Sequence, residues 1–218
     1  MLKKTLLIVC TLLLASGCSV ITDYQLSHQL VESIEQLVVK HNDTEHTRNK
    51  METYYKNMEK SMNQFQRSIQ ETGKADPNEL KALLSDMDQV IAELHNYQTE
   101  EEKVLKQLDQ LMKKAEEISG DNGPLAKETL NLFQQLVQRE SRLAEVNIGI
   151  LTANKNYYTA IAKKKTPPKD QFESLNQERK KLEKETETLI QKFNQSWGRF
   201  SEEVTGQPLN KSNSKPSL

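Results

Sequence analysis

Cysteine is all but missing from these 218 residues, occurring only at Cys10 and Cys18. That excludes a disulfide framework and a cysteine-rich zinc site. Glycine is scarce too, at 7 residues, and none falls in a Gly-x-Ser-x-Gly elbow or a phosphate-cradling loop. Formal charges nearly cancel, 30 basic against 31 acidic side chains, so no cationic excess exists to attract nucleic acid. The longest apolar run, Thr5 to Leu14, is too short to span a bilayer. The four histidines, His28, His41, His46 and His95, lack metal-site spacing. A di-metal bundle takes Glu-x-x-His from two helices, and the nearest match, Asp43-Thr44-Glu45-His46, occurs once. No metal, cofactor or catalytic set is therefore expected, and the chain does not read as an enzyme.

What is present starts at the N-terminus. Met1-Leu2-Lys3-Lys4 is a basic prelude, Thr5 to Leu14 an apolar core, and Ala15-Ser16-Gly17 a run of small residues before Cys18. Residues 1–17 thus read as an export signal that is removed. Small residues followed by cysteine also resemble a lipobox, although Leu14 sits four residues ahead of Cys18 and Ala15 takes the usual leucine position. The thiol takes the lipid before cleavage makes Cys18 the new N-terminus. Two or more palmitate-type chains give stable anchoring, which a single chain does not. The expected location is the outer face of the cytoplasmic membrane, facing the cell wall.

Proline and glycine divide the remainder. All 6 prolines lie in three short interruptions or in the tail, and between them Glu, Lys, Gln, Leu, Ala and Met dominate, the strong helix formers. Asp76-Pro77-Asn78-Glu79 carries N-cap chemistry, Gly120 and Gly206 are stops, and Pro124 and Pro167 are restarts. Four helices are predicted, at about 22–72, 77–119, 124–164 and 167–205, within a single domain over 18–206. Residues 207–218 read as a disordered tail. Apolar residues recur at alternating spacings of 3 and 4, as in Leu30, Ile34, Leu37 and Leu80, Leu84, Met87, Ile91, Leu94. That spacing predicts coiled-coil-like packing. The expected fold is all-α: an elongated antiparallel up-down-up-down four-helix bundle, or else a smaller bundle with a projecting long α-hairpin.

Two polar features interrupt this pattern. His41, Thr44, Arg48, Gln98 and Glu101 fall at core positions. Folding the hairpins brings Arg48 towards Glu101, with Arg139 and Arg142 near the same level. A buried polar layer of Arg48, Glu101, Arg139 and Arg142 is expected, with the structural job of fixing register. The second feature is the turn Lys163-Lys164-Lys165-Thr166-Pro167-Pro168-Lys169. Its lysines complement the helix macrodipole. With Lys74 and Lys169, Lys163, Lys164 and Lys165 also form a candidate wall-facing basic tip, since a bundle anchored at Cys18 points its first and third turns away from the membrane. Phe193, Trp197 and Phe200 share one stripe and read as core.

A lipobox cysteine followed at once by a Glu/Lys/Gln-rich helical body resembles the cell-wall-binding lipoproteins of low-GC Gram-positive bacteria (the YkyA type). Phe193-Asn194 and Leu175-Asn176 fit a Phe-Asn pair and a nearby asparagine of that family, while most of its late tyrosines are missing. The resemblance implies an all-helical, non-enzymatic envelope protein. The expected partners are the lipid bilayer, through acylated Cys18, and peptidoglycan or an anionic wall polymer. A different reading is an adaptor or chaperone-like lipoprotein that docks another envelope protein on a helical groove.

Overall fold

The structure, a computed structural model, describes the backbone of residues 2–42, 45–167 and 171–207, and the side chains of residues 22–42, 50–167 and 172–207. Among the described residues the protein is all-α, with five helices: α1 (Leu2–Asn42), α2 (Glu45–Thr72), α3 (Pro77–Glu116), α4 (Asn122–Ala162) and α5 (Gln171–Thr205). Over the helix expected at 22–72 the described residues form α1 up to Asn42 and α2 from Glu45, and residues 43 and 44 between them lie outside the described residues. Of the expected tail, 207–218, residues 208–218 lie outside the described residues.

Most other ends follow local chemistry. Asp76 caps α3: its Oδ1 accepts the backbone N–H of Asn78 at 2.7 Å and of Glu79 at 3.2 Å. Gly73 (φ 69°) and Gly206 (φ 67°) end α2 and α5 in the left-handed conformation that glycine adopts without penalty. The α3–α4 connection needs a glycine for another reason. A Cβ on Gly123 would collide with the carbonyl oxygen of Ile118. α4 begins before Pro124, so that proline sits inside the first turn, where its missing N–H costs nothing.

The helices form two compact units. Unit 1 holds α1, the C-terminal part of α3 from Val104, the N-terminal part of α4 to Leu136 and α5 from Thr188. Unit 2 holds α2 with the remaining parts of α3, α4 and α5. Contacts within each unit are those of a helical bundle. In unit 2, Ser61 of α2 donates to Asp86 of α3, and Lys155 of α4 pairs with Asp88 of α3. In unit 1, Gln134 of α4 donates to Asp109 of α3 at 2.8 Å.

The buried residues of α3 are Leu83, Met87, Val90, Leu94, Glu101, Val104, Leu108, Leu111 and Ala115. With half-buried Tyr97, and with buried Ile118 just past the helix, they make one unbroken 4-3 repeat, a single seam. On α4 the seam runs through Ala126, Leu130, Phe133, Val137, Ala144, Leu151 and Tyr158, and Glu140 falls in the same register. On α2, Tyr54 is half-buried whereas Tyr55 is 36% exposed, so the stripe passes through Tyr54.

Phe133, Phe193, Trp197 and Phe200 are fully buried in unit 1. The rings of Phe133 and Phe193 lie 4.8 Å apart. Burial of each such ring stabilises the fold by about 2–3 kcal/mol. Unit 2 centres on Phe65, Leu83, Met87, Val90 and Leu94, edged by half-buried Met51, Tyr54, Met58, Met62 and Tyr157.

Candidate functional site

Within unit 2, the polar seam is built around Tyr97, Glu101 and Glu140. Glu101 is fully buried at a core position of α3, and Tyr97 stands one turn before it. The Tyr97 hydroxyl donates to Oε2 of Glu140 on α4 at 3.0 Å. Burial, reinforced by the charges of Glu140 and Glu101, pushes the ionisation of this hydroxyl well above the usual tyrosine range. Tyr97 therefore stays protonated as a donor to a carboxylate. One residue on, Gln98 Nε2 donates to the backbone carbonyl of Ser141 at 3.3 Å. Together the two bonds hold α3 and α4 in register, because a slip by one turn would leave buried polar atoms without partners.

This layer differs from the expected one. Glu101 is buried as predicted, but the side chain of Arg48 lies outside the described residues. Arg139 is only half-buried and pairs with Glu185 on α5 at 3.1 Å. Arg142 is exposed, held by Glu178 at 2.7 Å and Glu145 at 2.6 Å, which raises its already high pKa. Both arginines sit on the α4 face turned to α5 and solvent, away from the seam. Glu140 and Tyr97 take the place assigned to them. The heptad through Phe133 and Val137 continues to Glu140 and then Ala144, so counting from Phe133 instead of Leu132 identifies Glu140 from sequence.

The second candidate is the lysine turn after α4. The backbone N–H groups of Lys163, Lys164 and Lys165 donate to the carbonyls of Thr159 (3.2 Å), Ile161 (2.9 Å) and Ala160 (2.9 Å). This is a Schellman-type closure in which the main chain itself satisfies the last carbonyls of the helix. The three ammonium groups are thus not needed as hydrogen-bonding caps. Lys163, Lys164 and Lys165 are exposed, as is Lys74 beyond the end of α2. None of the four forms an ion pair among the described residues, whereas Lys50, Lys103 and Lys155 of the same unit do. Ala75 and Ala162, beside these two turns, pack against the same apolar cluster of unit 2. Lys169 lies outside the described residues.

The backbone of Cys18 belongs to α1, and its side chain lies outside the described residues. No helix among the described residues is long and apolar enough to cross a membrane. In unit 1 a shallow groove of about 280 Å³ runs between α1 and α3. Ser33, Gln36, Lys40, Gln107 and Gln110 line it, over Leu37 and Leu111. The chain matches no protein-family model, no curated protein and no solved structure.

Proposed function

We propose that this chain is an extracytoplasmic lipoprotein whose acylated Cys18 tethers a non-enzymatic helical body to the outer face of the membrane, where it binds the cell wall or spaces it from the lipid. The helical body in this reading is an up-down-up-down four-helix bundle, with α1 and α2 together as its first arm. Cleavage before Cys18 leaves α1 to start at the anchor. In this reading the turns at 73–76 and 163–167 are the points of contact with the wall.

The observation that carries the reading is the set of exposed ammonium groups on Lys74, Lys163, Lys164 and Lys165, without ion pairs among the described residues; the three after α4 follow a helix end that the backbone has already capped. Exposed lysines bind polyanions through long-range, salt-sensitive attraction. Sedimentation with purified peptidoglycan, with and without its anionic polymer, tests it. Binding should need the polymer and weaken with added salt. Equal recovery from stripped and intact wall, or from no wall at all, would count against it.

A second reading, the adaptor, draws on the α1–α3 groove of unit 1, whose polar rim over Leu37 and Leu111 offers a seat for a partner segment. Crosslinking from Gln36 or Gln107 in cells separates the two. A single dominant protein product favours the adaptor; no protein product leaves the wall reading in place.

A further inference from the structure

Lys164 has φ 55°, the one non-glycine residue among those described with a left-handed backbone. It occupies the position after a helix end that glycine ordinarily takes, as Gly73 and Gly206 do after α2 and α5. A side chain there suffers a clash between Cβ and its own backbone that glycine avoids. No hydrogen bond or ion pair among the described residues compensates. Lys164 is exposed, and its side chain makes no ion pair or hydrogen bond among the described residues. The turn itself would close as well with glycine, since its hydrogen bonds run from backbone amides to the carbonyls of Thr159, Ala160 and Ile161. A lysine that destabilises its own turn and pairs with no described residue points to an interaction outside the fold.

We infer that Lys164 is a ligand-contacting residue, kept at a glycine position because its ammonium, flanked by Lys163 and Lys165, engages a phosphodiester polyanion. The inference rests on the wall-binding reading and names its ligand chemistry and its central residue. The residue types favour a flexible polyanion over a rigid ligand held in one geometry. Residues 72–77 and 163–167 contain four lysines and no arginine. Arginine supplies the planar fork suited to fixed, bidentate pairing with a carboxylate or a phosphate, whereas lysine is a compact point charge with freely rotating donors. A lysine-only patch suits a flexible polymer whose tetrahedral phosphates present oxygens in every direction.

The test measures thermal midpoint and affinity together on the full-length chain in detergent, with poly(glycerol phosphate) as the probe. Lys164→Gly should raise the midpoint by roughly 2–4 °C, from relief of the backbone clash. The same variant should bind about fivefold more weakly at low salt, the loss of about one lysine's attraction. Lys163→Gln should weaken binding to a similar extent without raising the midpoint. A Lys164→Gly chain that melts higher yet binds as before would overturn the contact, and one that melts no higher would overturn the strain. Poly-glutamate bound as tightly as the phosphate polymer would overturn the assignment of ligand chemistry. The triple reversal Lys74→Glu, Lys163→Glu, Lys165→Glu separates this inference from the reading beneath it. If the reversal abolishes binding and Lys164→Gly does not affect it, only the role of Lys164 falls. If the reversal binds normally, the basic tip falls as a whole.

Discussion

The two units use similar helices in different ways. Unit 1 is held by large rings: of the five largest fully buried side chains, Trp197, Phe133, Phe193 and Phe200 lie there, and only Phe65 lies in unit 2. Among its buried polar side chains, two small hydroxyls satisfy each other. Thr129 donates to the carbonyl of Leu125, leaving Ser196 to donate to Thr129 across 2.9 Å. Unit 2 has a narrower core edged by methionine and tyrosine, and every described ion pair of a lysine or arginine belongs to it. Close-packed rings are unforgiving of change, whereas flexible thioethers and solvated ion pairs yield to it. The difference suits a rigid unit 1 and a more adaptable unit 2.

The largest expected effect tests that rigidity. Trp197→Ala should cost about 4 kcal/mol, the usual range for emptying a buried aromatic site, against about 1 kcal/mol for Met58→Ala at the half-buried edge of unit 2. Urea denaturation of both variants reads the difference, and equal losses would dissolve the distinction between the units. Next comes Tyr97→Phe, which removes the donor to Glu140 and should cost about 1–3 kcal/mol.

This hydroxyl also sets the alkaline behaviour of unit 2. Its pKa, like those of Tyr55 and Tyr158, is raised by burial, so the neutral form is the one the fold stabilises. That stability is complete below the unfolded tyrosine pKa near 10 and is lost as pH rises above it towards the folded values. Melting curves between pH 8 and 11.5 should show a loss that Tyr97→Phe partly removes. A pH-independent midpoint over that range would contradict the burial of the Tyr97 and Tyr158 hydroxyls.

Salt should have a smaller effect. The pairs Arg142–Glu178, Arg139–Glu185 and Lys155–Asp88 are partly solvated, each contributing at most about 1 kcal/mol. Hydrogen exchange in 1 M salt should therefore speed up in unit 2 more than in unit 1. Smallest is Asp23→Asn. Ser119 donates to Asp23 through its hydroxyl at 2.7 Å and its backbone N–H at 3.3 Å, and these bonds lower the Asp23 pKa. The contribution is present above the ordinary aspartate pKa of 3.8 and is lost as pH falls below it. Wild type and Asp23→Asn should thus differ slightly at pH 7 and converge at low pH.

Much of this architecture is legible from residue order. Asp76-Pro77 and Gly206 mark helix ends because capping is local chemistry, and Phe193, Trp197 and Phe200 declare themselves core by spacing. On α4 the apolar residues Leu132 and Leu143 lie one position away from the buried Phe133 and Ala144. The seam includes a glutamate and two alanines, so hydrophobicity alone does not mark it, although the apolar Leu136 and Val146 are buried as well. For the lysine turn, composition shows a charge run; it does not show that the backbone caps α4 unaided or that Lys164 takes a left-handed conformation. Both depend on how the chain reverses after Ala162.

The division of the chain between the units has a consequence during synthesis. α2 finds its partner in α3 almost at once, as the Ser61–Asp86 bond joins residues 25 apart. α1 is made first, yet the rest of its unit begins only at Val104, and Asp23 waits 96 residues for Ser119. Its apolar stripe of Leu30, Ile34, Leu37 and Val38 therefore remains unpaired while unit 2 begins to form. Unit 1 closes only when the ribosome has delivered Phe193, Trp197 and Phe200 from the far end of the chain. A nascent chain stalled before them presents a bare hydrophobic helix to whatever holdase or membrane lies nearby.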